Sequence, residues 1–254
     1  MSDYRFKSTA ANLTTRRVVL VACLIFILPG NCMGQEHCGA EAKLLLATGN
    51  AKAVAQAFHA GRPSTGQVFL YDTETRDLLA HGIILRVRLG ENSDVTVKLR
   101  LRAKKAITAS SGDHGYFKCE VDYAGGLPAY SYSERTKLKA EVPKTGVDLS
   151  ERLNKSQRQV LNQSDYVIDW KNVKRVADIQ SSAWTITNQP TFDKLDLELW
   201  EWPGGAVLEL STKADPASLQ ATYDQLRSLA TSKGLLLNST QQFKTEMVLR
   251  KASK

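Results

Sequence analysis

Alternating charged and apolar residues dominate the middle of the chain and predict a series of β-strands. In segment 85–89 arginine alternates with leucine or valine, and in segment 95–100 threonine, lysine and arginine do so. Because successive side chains of a strand point to opposite faces, the charged residues of each segment share one face. These residues are Arg86 and Arg88 on the first strand, and Lys98, Arg100 and Arg102 on the second. Two neighbouring strands therefore present a basic surface, backed by apolar residues.

The same alternation recurs in two strands that carry both signs of charge on one face. The shared faces are Lys118, Glu120 and Asp122 on one strand, and Glu209, Ser211 and Lys213 on the other. An antiparallel sheet commonly shows its charged face to water, so a solvated surface is one interpretation. Several strands with mixed charge on one face instead suit a closed barrel with a charged lumen.

The remaining segments predict further helices, strands and one long loop. Helical spacing is found at 50–59 and at 148–162, where the helix would cover one mouth of a barrel. Asp215-Pro216 begins another helix, as N-cap and first helical residue. Strands are predicted at 173–187, 195–201, 206–213 and 242–250, with Gly204-Gly205 as a hairpin turn. Residues 130–148 show no clear period, which predicts a loop.

The ordered series of segments resembles the CYTH superfamily, the triphosphate tunnel metalloenzymes. The series starts at Glu41-Ala42-Lys43, passes through 71–73, 78–82, 86–88 and 97–98, and closes at Glu209-Leu210-Ser211. The resemblance covers about residues 38–234. It implies an α+β, mainly antiparallel fold, an eight-stranded β-tunnel with a few flanking helices, in a domain spanning residues 35–254.

The resemblance also implies roles for particular residues. The phosphate-binding set would be Lys43, Arg86, Arg88, Lys98, Arg100 and Lys118. Mg²⁺ or Mn²⁺ would be held by Glu41, Glu120 and Glu209, of which Glu41 and Glu209 are the expected catalytic residues. Taken singly, each acidic residue is as compatible with a surface ion pair.

Two positions depart from the family pattern. Gly39 stands where the opening Glu-x-Glu-x-Lys motif has its first glutamate, and Ser211 stands where the closing Glu-x-Glu motif has its second. Both changes remove a carboxylate. They bear on catalysis more than on anion binding.

The chemistry explains why cations and carboxylates would be needed together. Several cations must replace the hydration shell of a triphosphate, with arginine giving bidentate contacts and lysine a point charge. A metal bridging phosphate oxygens would complete the site, and phosphoryl transfer then depends on positioning and charge stabilisation. The leading interpretation is metal-dependent hydrolysis of inorganic or organic triphosphate. The alternatives are a non-catalytic phosphate- or polyphosphate-binding exported protein, and a structural envelope module whose inward charges pair with each other.

The N-terminal 34 residues have the pattern of a secretory signal peptide. Arg16-Arg17 precede an apolar run of 11 residues, 18–28, and small residues follow up to Gly34. The run is too short to span a bilayer, so no stable membrane span is expected, and cleavage is predicted near Gly34. The sequence thus predicts an exported protein, periplasmic or secreted. A buried helix or an uncleaved anchor is the alternative.

Cysteine usage agrees with export. Cleavage after Gly34 leaves Cys38 and Cys119, an even pair. Both fall on the outward parity of their strands, because Gly39, Glu41 and Glu120 would point inward. The pattern predicts a disulfide between them, and two free thiols are the alternative.

Net charge and length restrict the classes of partner and the number of domains. The chain of 254 residues has a formal charge of +8, of which residues 1–34 contribute +3. The remaining +5 fits an anionic ligand, and without a zinc-finger or helix-turn-helix signature nucleic acid is not expected as a partner. A single domain is favoured, and the sequence leaves the oligomeric state open.

Overall fold

The computed structural model describes residues 38–47, 51–105, 115–138 and 149–252. The predicted signal peptide lies outside these ranges. The described strands are β1 (Gly39–Leu46), β2 (Ser64–Asp72), β3 (Ile83–Leu89), β4 (Asp94–Leu101), β5 (Gly115–Tyr123), β6 (Ala129–Lys137), β7 (Lys174–Gln189), β8 (Phe192–Trp202) and β9 (Gly205–Ala214). The described α-helices are α1 (Ala51–Ala57), α2 (Asp77–Ala80), α3 (Lys155–Leu161), α4 (Leu219–Ser232) and α5 (Lys244–Lys251). None of these helices is long and apolar enough to cross a membrane.

The strands form one closed barrel, in the order β1-β5-β6-β4-β3-β2-β7-β8-β9, with β9 returning to β1. Neighbouring strands are antiparallel except β1 and β5, which pair in parallel. The predicted fold class, a mainly antiparallel closed β-tunnel with few flanking helices, is confirmed. The number of strands is nine rather than the eight expected.

Helices cover the apolar outer faces of the barrel. Leu44, Leu197 and Leu210 point outward into a buried cluster that includes α4, whose Tyr223 and Leu226 are buried there. The predicted start of this helical region is confirmed, since an Asp215 carboxylate oxygen accepts a hydrogen bond of 2.7 Å from the Ala217 amide. With the apolar faces turned out against helices, the charged faces of the strands must point into the barrel.

The helix predicted at 148–162 packs against the barrel wall instead of covering a tunnel mouth. It forms as a 3₁₀ turn, Leu149–Arg152, followed by α3, and contacts β4 and β6. Val160 of α3 is buried with Val95 and Val97, which are outward residues of β4. The side-chain amide of Gln157 donates a 2.9 Å hydrogen bond to the Val95 carbonyl. The apolar stripe of this helical segment thus packs against the outer face of the barrel at β4 and β6.

The loop predicted at 130–148 is wrong over its first part, because residues 129–137 form strand β6. Tyr130 and Tyr132 pack outward, whereas Ser131 and Ser133 pair with the inward Arg100 and Lys98 of β4. The alternation is present in the sequence, but tyrosine and serine contrast weakly in hydropathy. The rest of the predicted loop, 139–148, lies outside the described residues.

The last strand predicted, at 242–250, is also wrong, because this segment forms helix α5. The short apolar run allows either structure, and tertiary packing decides between them. Met247, Val248 and Leu249 are buried with inward side chains of the barrel, namely Leu45, Val68, Leu70, Ala177, Ile179, Trp200, Trp202 and Val207. Part of the barrel interior is therefore an apolar core to which α5 contributes.

The predicted disulfide between Cys38 and Cys119 is confirmed. It joins the residue before β1 to β5, beside the register pair Gly39 and Glu120. Both cysteines pack against apolar clusters outside the charged lumen, as their outward parity predicted.

Candidate functional site

The charged part of the barrel interior is a cavity of about 720 Å³. Its lining includes five acidic side chains and nine basic ones: Lys43, Arg86, Arg88, Lys98, Arg100, Lys118, Arg135, Lys213 and Lys244. All six residues predicted to bind phosphate are among them. The basic faces of the strands therefore surround one cavity, in which positive charge exceeds negative charge, and are not a solvated outer surface.

Asp122 lies at the centre of a group of cations. Its carboxylate oxygens are 2.8 Å from Lys43 Nζ, 3.3 Å from Lys98 Nζ and 3.4 Å from an Arg100 Nη. The Ser131 hydroxyl donates a further hydrogen bond of 2.5 Å. Burial alone would raise the pKa of Asp122, but the three cations hold it well below its usual value. Lys43 also contacts Glu41, and Arg100 also contacts Glu246, so the three cations of this group meet three carboxylates.

Arg86 and Arg88 lie on the same wall of the cavity, on β3. An Nη of Arg86 donates to the Thr96 hydroxyl at 3.2 Å, and an Nη of Arg88 lies 3.5 Å from Glu198. The Nε–H groups of both arginines are buried and have no hydrogen-bond partner among the described residues. Burial and the neighbouring Arg88 lower the pKa of Arg86 to about 9, so its guanidinium is still charged at neutral pH. Buried unpaired donors on two charged groups are well suited to bind an anion.

Lys98 has a protonation equilibrium close to neutral pH. Its side chain is 15% exposed, and burial lowers its pKa to about 8 although Asp122 favours the charged form. Lys43 contrasts with it, because Asp122 and Glu41 outweigh burial there and raise the pKa of the lysine. Both lysines are charged at neutral pH, but only Lys98 loses its charge just above it.

Three carboxylates meet across the pairing of β1 with β5. Ligand atoms of Glu41, Glu120 and Asp122 lie within 4.8 Å of one another. Hard divalent cations such as Mg²⁺ prefer oxygen ligands, usually one or two carboxylates together with phosphate and water. This donor set therefore fits the metal that the fold resemblance implies.

Glu209, predicted as the third metal ligand, lies outside this cluster. On β9 it is opposite Leu45, whereas Lys213 is opposite Glu41. Four residues separate these positions, or about 13 Å along a strand. The Glu209 carboxylate instead lies 2.8 Å from Lys244 Nζ. Asp122 takes the place in the cluster that the prediction gave to Glu209.

Lysines already contact the oxygens of the acidic cluster. Lys213 Nζ lies 3.0 Å from Glu41 and 2.6 Å from Glu120, and Lys118 Nζ lies 2.5 Å from Glu120. Burial favours a raised pKa for Glu41, but Lys43 and Lys213 lower it to about 2. The sequence placed Lys213 on the correct face without assigning it a role.

Helix α5 contributes residues that sequence reasoning missed. Lys244 Nζ pairs with Glu198 as well as Glu209, and Glu246 lies 3.1 Å from Arg100. The Arg100 guanidinium also stacks 3.9 Å above the ring of Phe243. The spacing of Phe243 and Met247, four residues apart, was the available signal for a helix.

The two positions that depart from the family pattern lie on the cavity side of their strands. Gly39 is opposite Glu120, and a Cβ at this position would have the Cys119 carbonyl oxygen as its nearest heavy atom, 3.9 Å away. Ser211 lines the cavity opposite Lys43. A Cβ at Gly39 would therefore make only an ordinary van der Waals contact, so crowding at Cβ does not account for the glycine.

Comparison with known proteins shows similarity in fold only. No protein family model matches this sequence, and no curated protein matches it. Among solved structures, HpAC1 from Hippeastrum, a candidate adenylyl cyclase with a dominant triphosphatase activity, is 14% identical, with a TM-score of 0.54 over 83% of this chain and 94% of that one. A candidate adenylate cyclase from Bacillus halodurans is also 14% identical, with a TM-score of 0.50 over 82% of this chain and 96% of that one.

Proposed function

From the CYTH-superfamily fold that this chain has, we propose that it is a metal-dependent triphosphatase acting on inorganic or organic triphosphate. The observation that carries the proposal is the pair Arg86 and Arg88, which line the cavity together with Glu41 and Glu120 and whose buried Nε–H groups have no hydrogen-bond partner among the described residues. The triphosphatase activity named for HpAC1 supports the same reaction class.

Residues on different strands have different proposed roles. Arg86 and Arg88 bind phosphate oxygens from β3, while Lys98 and Arg100 bind from β4. Glu41, Glu120 and Asp122 would hold Mg²⁺ or Mn²⁺, which when bound would polarise the phosphate and orient water. The ion pairs of Asp122 fix Lys43, Lys98 and Arg100 before substrate arrives. Such preorganised charge stabilises the transition state without a covalent nucleophile.

A non-catalytic phosphate or polyphosphate binder is the second candidate. It is favoured by the neutral Gly39 and Ser211, and by the lysines that already pair with Glu41 and Glu120. The same pairing of inward charges is what a purely structural module would need.

We also propose that the protein is exported, to the periplasm or outside the cell, after removal of residues 1–34. The Cys38–Cys119 disulfide supports this location, since disulfides persist in oxidising compartments. Mass analysis of the mature protein tests it, and an intact chain retained in the cytoplasm would contradict it.

Calorimetry with inorganic triphosphate tests the site. Arg86→Ala should weaken binding by about 1.5 to 3 kcal/mol, or roughly ten- to 150-fold, because a charged hydrogen-bond donor is lost. Arg227→Ala, which removes an exposed arginine of α4, is the matched control and should leave binding unchanged. Phosphate release with Mg²⁺ or Mn²⁺, but not with a chelator, would support the enzyme. Binding without release would favour the second candidate, and no binding would favour the structural module.

A further inference from the structure

Lys213 is placed between two of the three carboxylates that would hold the metal. It lies on β9, opposite Glu41 of β1, and its ammonium also reaches Glu120 of β5. One lysine thus connects three neighbouring strands at the acidic cluster. Its side chain is 59% exposed, so its stem lies largely in solvent while the ammonium is held by the carboxylates.

The other cations near the cluster are held differently. Lys43 has a side chain only 12% exposed and also binds the buried Asp122, so it is fixed within the wall. Lys118 contacts Glu120 but no other carboxylate for which a contact is described. Lys213 combines contact with both Glu41 and Glu120 and a side chain that is more than half exposed. It is therefore well placed to leave when another cation arrives.

We propose that Lys213 is a built-in counter-ion that occupies the metal position and must be displaced from Glu41 and Glu120 before a divalent cation binds there. The inference rests on the proposed function, because it concerns the metal of that same site. A metal and the ammonium require the same oxygens, Glu41 Oε2 and Glu120 Oε1, so the two cations compete.

Displacement also couples metal binding to substrate binding. Once released, the Lys213 ammonium needs a new anionic partner, and a triphosphate in the adjoining cavity provides one. Metal should therefore bind weakly to the free protein and more tightly when triphosphate is present, and the reciprocal effect follows from linkage. Lys213 is in this sense a positioning residue that delays metal loading until substrate arrives.

Electron paramagnetic resonance of free Mn²⁺, without triphosphate, tests the proposal by a measurement independent of turnover. Lys213→Met keeps the aliphatic stem and should tighten Mn²⁺ binding about tenfold, within the usual range of coupling between sites. Lys213→Arg keeps the charge and should behave like the unmodified protein.

The matched control is Lys194→Met. Lys194 is 57% exposed, lies on the neighbouring strand β8 and pairs with Asp196, 3.1 Å away, instead of with the cluster. An equal gain in Lys194→Met would mean that any nearby positive charge matters, and would overturn the proposal. Equal Mn²⁺ affinity in Lys213→Met and the unmodified protein, or no binding to either, would overturn it as well. The Arg86→Ala calorimetry needs no metal, so triphosphate binding can stand when this inference fails.

Discussion

Loss of the Cys38–Cys119 disulfide should destabilise the barrel at its shortest pairing. The strands β1 and β5 are in register over only four residue pairs, whereas β1 and β9 are in register over seven. The acidic cluster lies across this same short pairing. The informative change is the double substitution Cys38→Ser with Cys119→Ser, which removes the bond and nearly keeps the size of both side chains.

The expected magnitude follows from the loop that the bond closes. The cysteines are 81 residues apart, for which the chain-entropy relation gives about 4.5 kcal/mol at 25 °C. That amount is a large share of the roughly 5 to 15 kcal/mol by which a domain is stable. For a domain of this size it corresponds to a fall of about 9 to 18 °C in Tm.

Urea unfolding of the oxidised, reduced and doubly substituted proteins measures the effect. The reduced and substituted proteins should lose similar free energies of unfolding, because both lack only the bond. A loss below about 1 kcal/mol in the double variant would refute the reasoning, as would two titratable thiols in the denatured, unreduced protein.

Two further predictions concern pH. Triphosphate binding should weaken as pH rises through about 8, where the free protein's Lys98 loses its proton, and Lys98→Arg should retain binding to higher pH because guanidinium stays charged. Calorimetry across this range checks it, and identical pH profiles would count against Lys98. Glu134 is fully buried, and neither carboxylate oxygen has a hydrogen-bond partner among the described residues, so burial raises its pKa. The folded protein then binds this proton more tightly than the unfolded chain, and stability should fall as pH rises above about 4.5 through the raised value. Glu134→Gln should flatten that fall in urea midpoints, and an unaltered slope would exclude Glu134 as its source.

The sequence determined which side chains share a face of each strand. Alternation alone placed Arg86 and Arg88 on one face and Glu120 and Asp122 on another, and the structure finds all four on the inner side of the barrel. The alternation of side chains between the two faces of a strand is a local property of its backbone. It can therefore be predicted without knowing which strands lie beside it. The outward parity of the cysteines was predictable for the same reason.

The tertiary structure decided which of these inward residues meet. The alternation along a strand shows which face a side chain is on, but not its position along the barrel axis. That position depends on the register between strands that are distant in the sequence. Glu209 and Lys213 share a face of β9, yet only Lys213 reaches the acidic cluster, while Glu209 pairs with Lys244 of α5. The four-residue spacing of Phe243 and Met247 was a local signal for that helix, but its short apolar run also allows a strand, and burial against the barrel core decides between them. The composition of the site is thus a consequence of barrel closure.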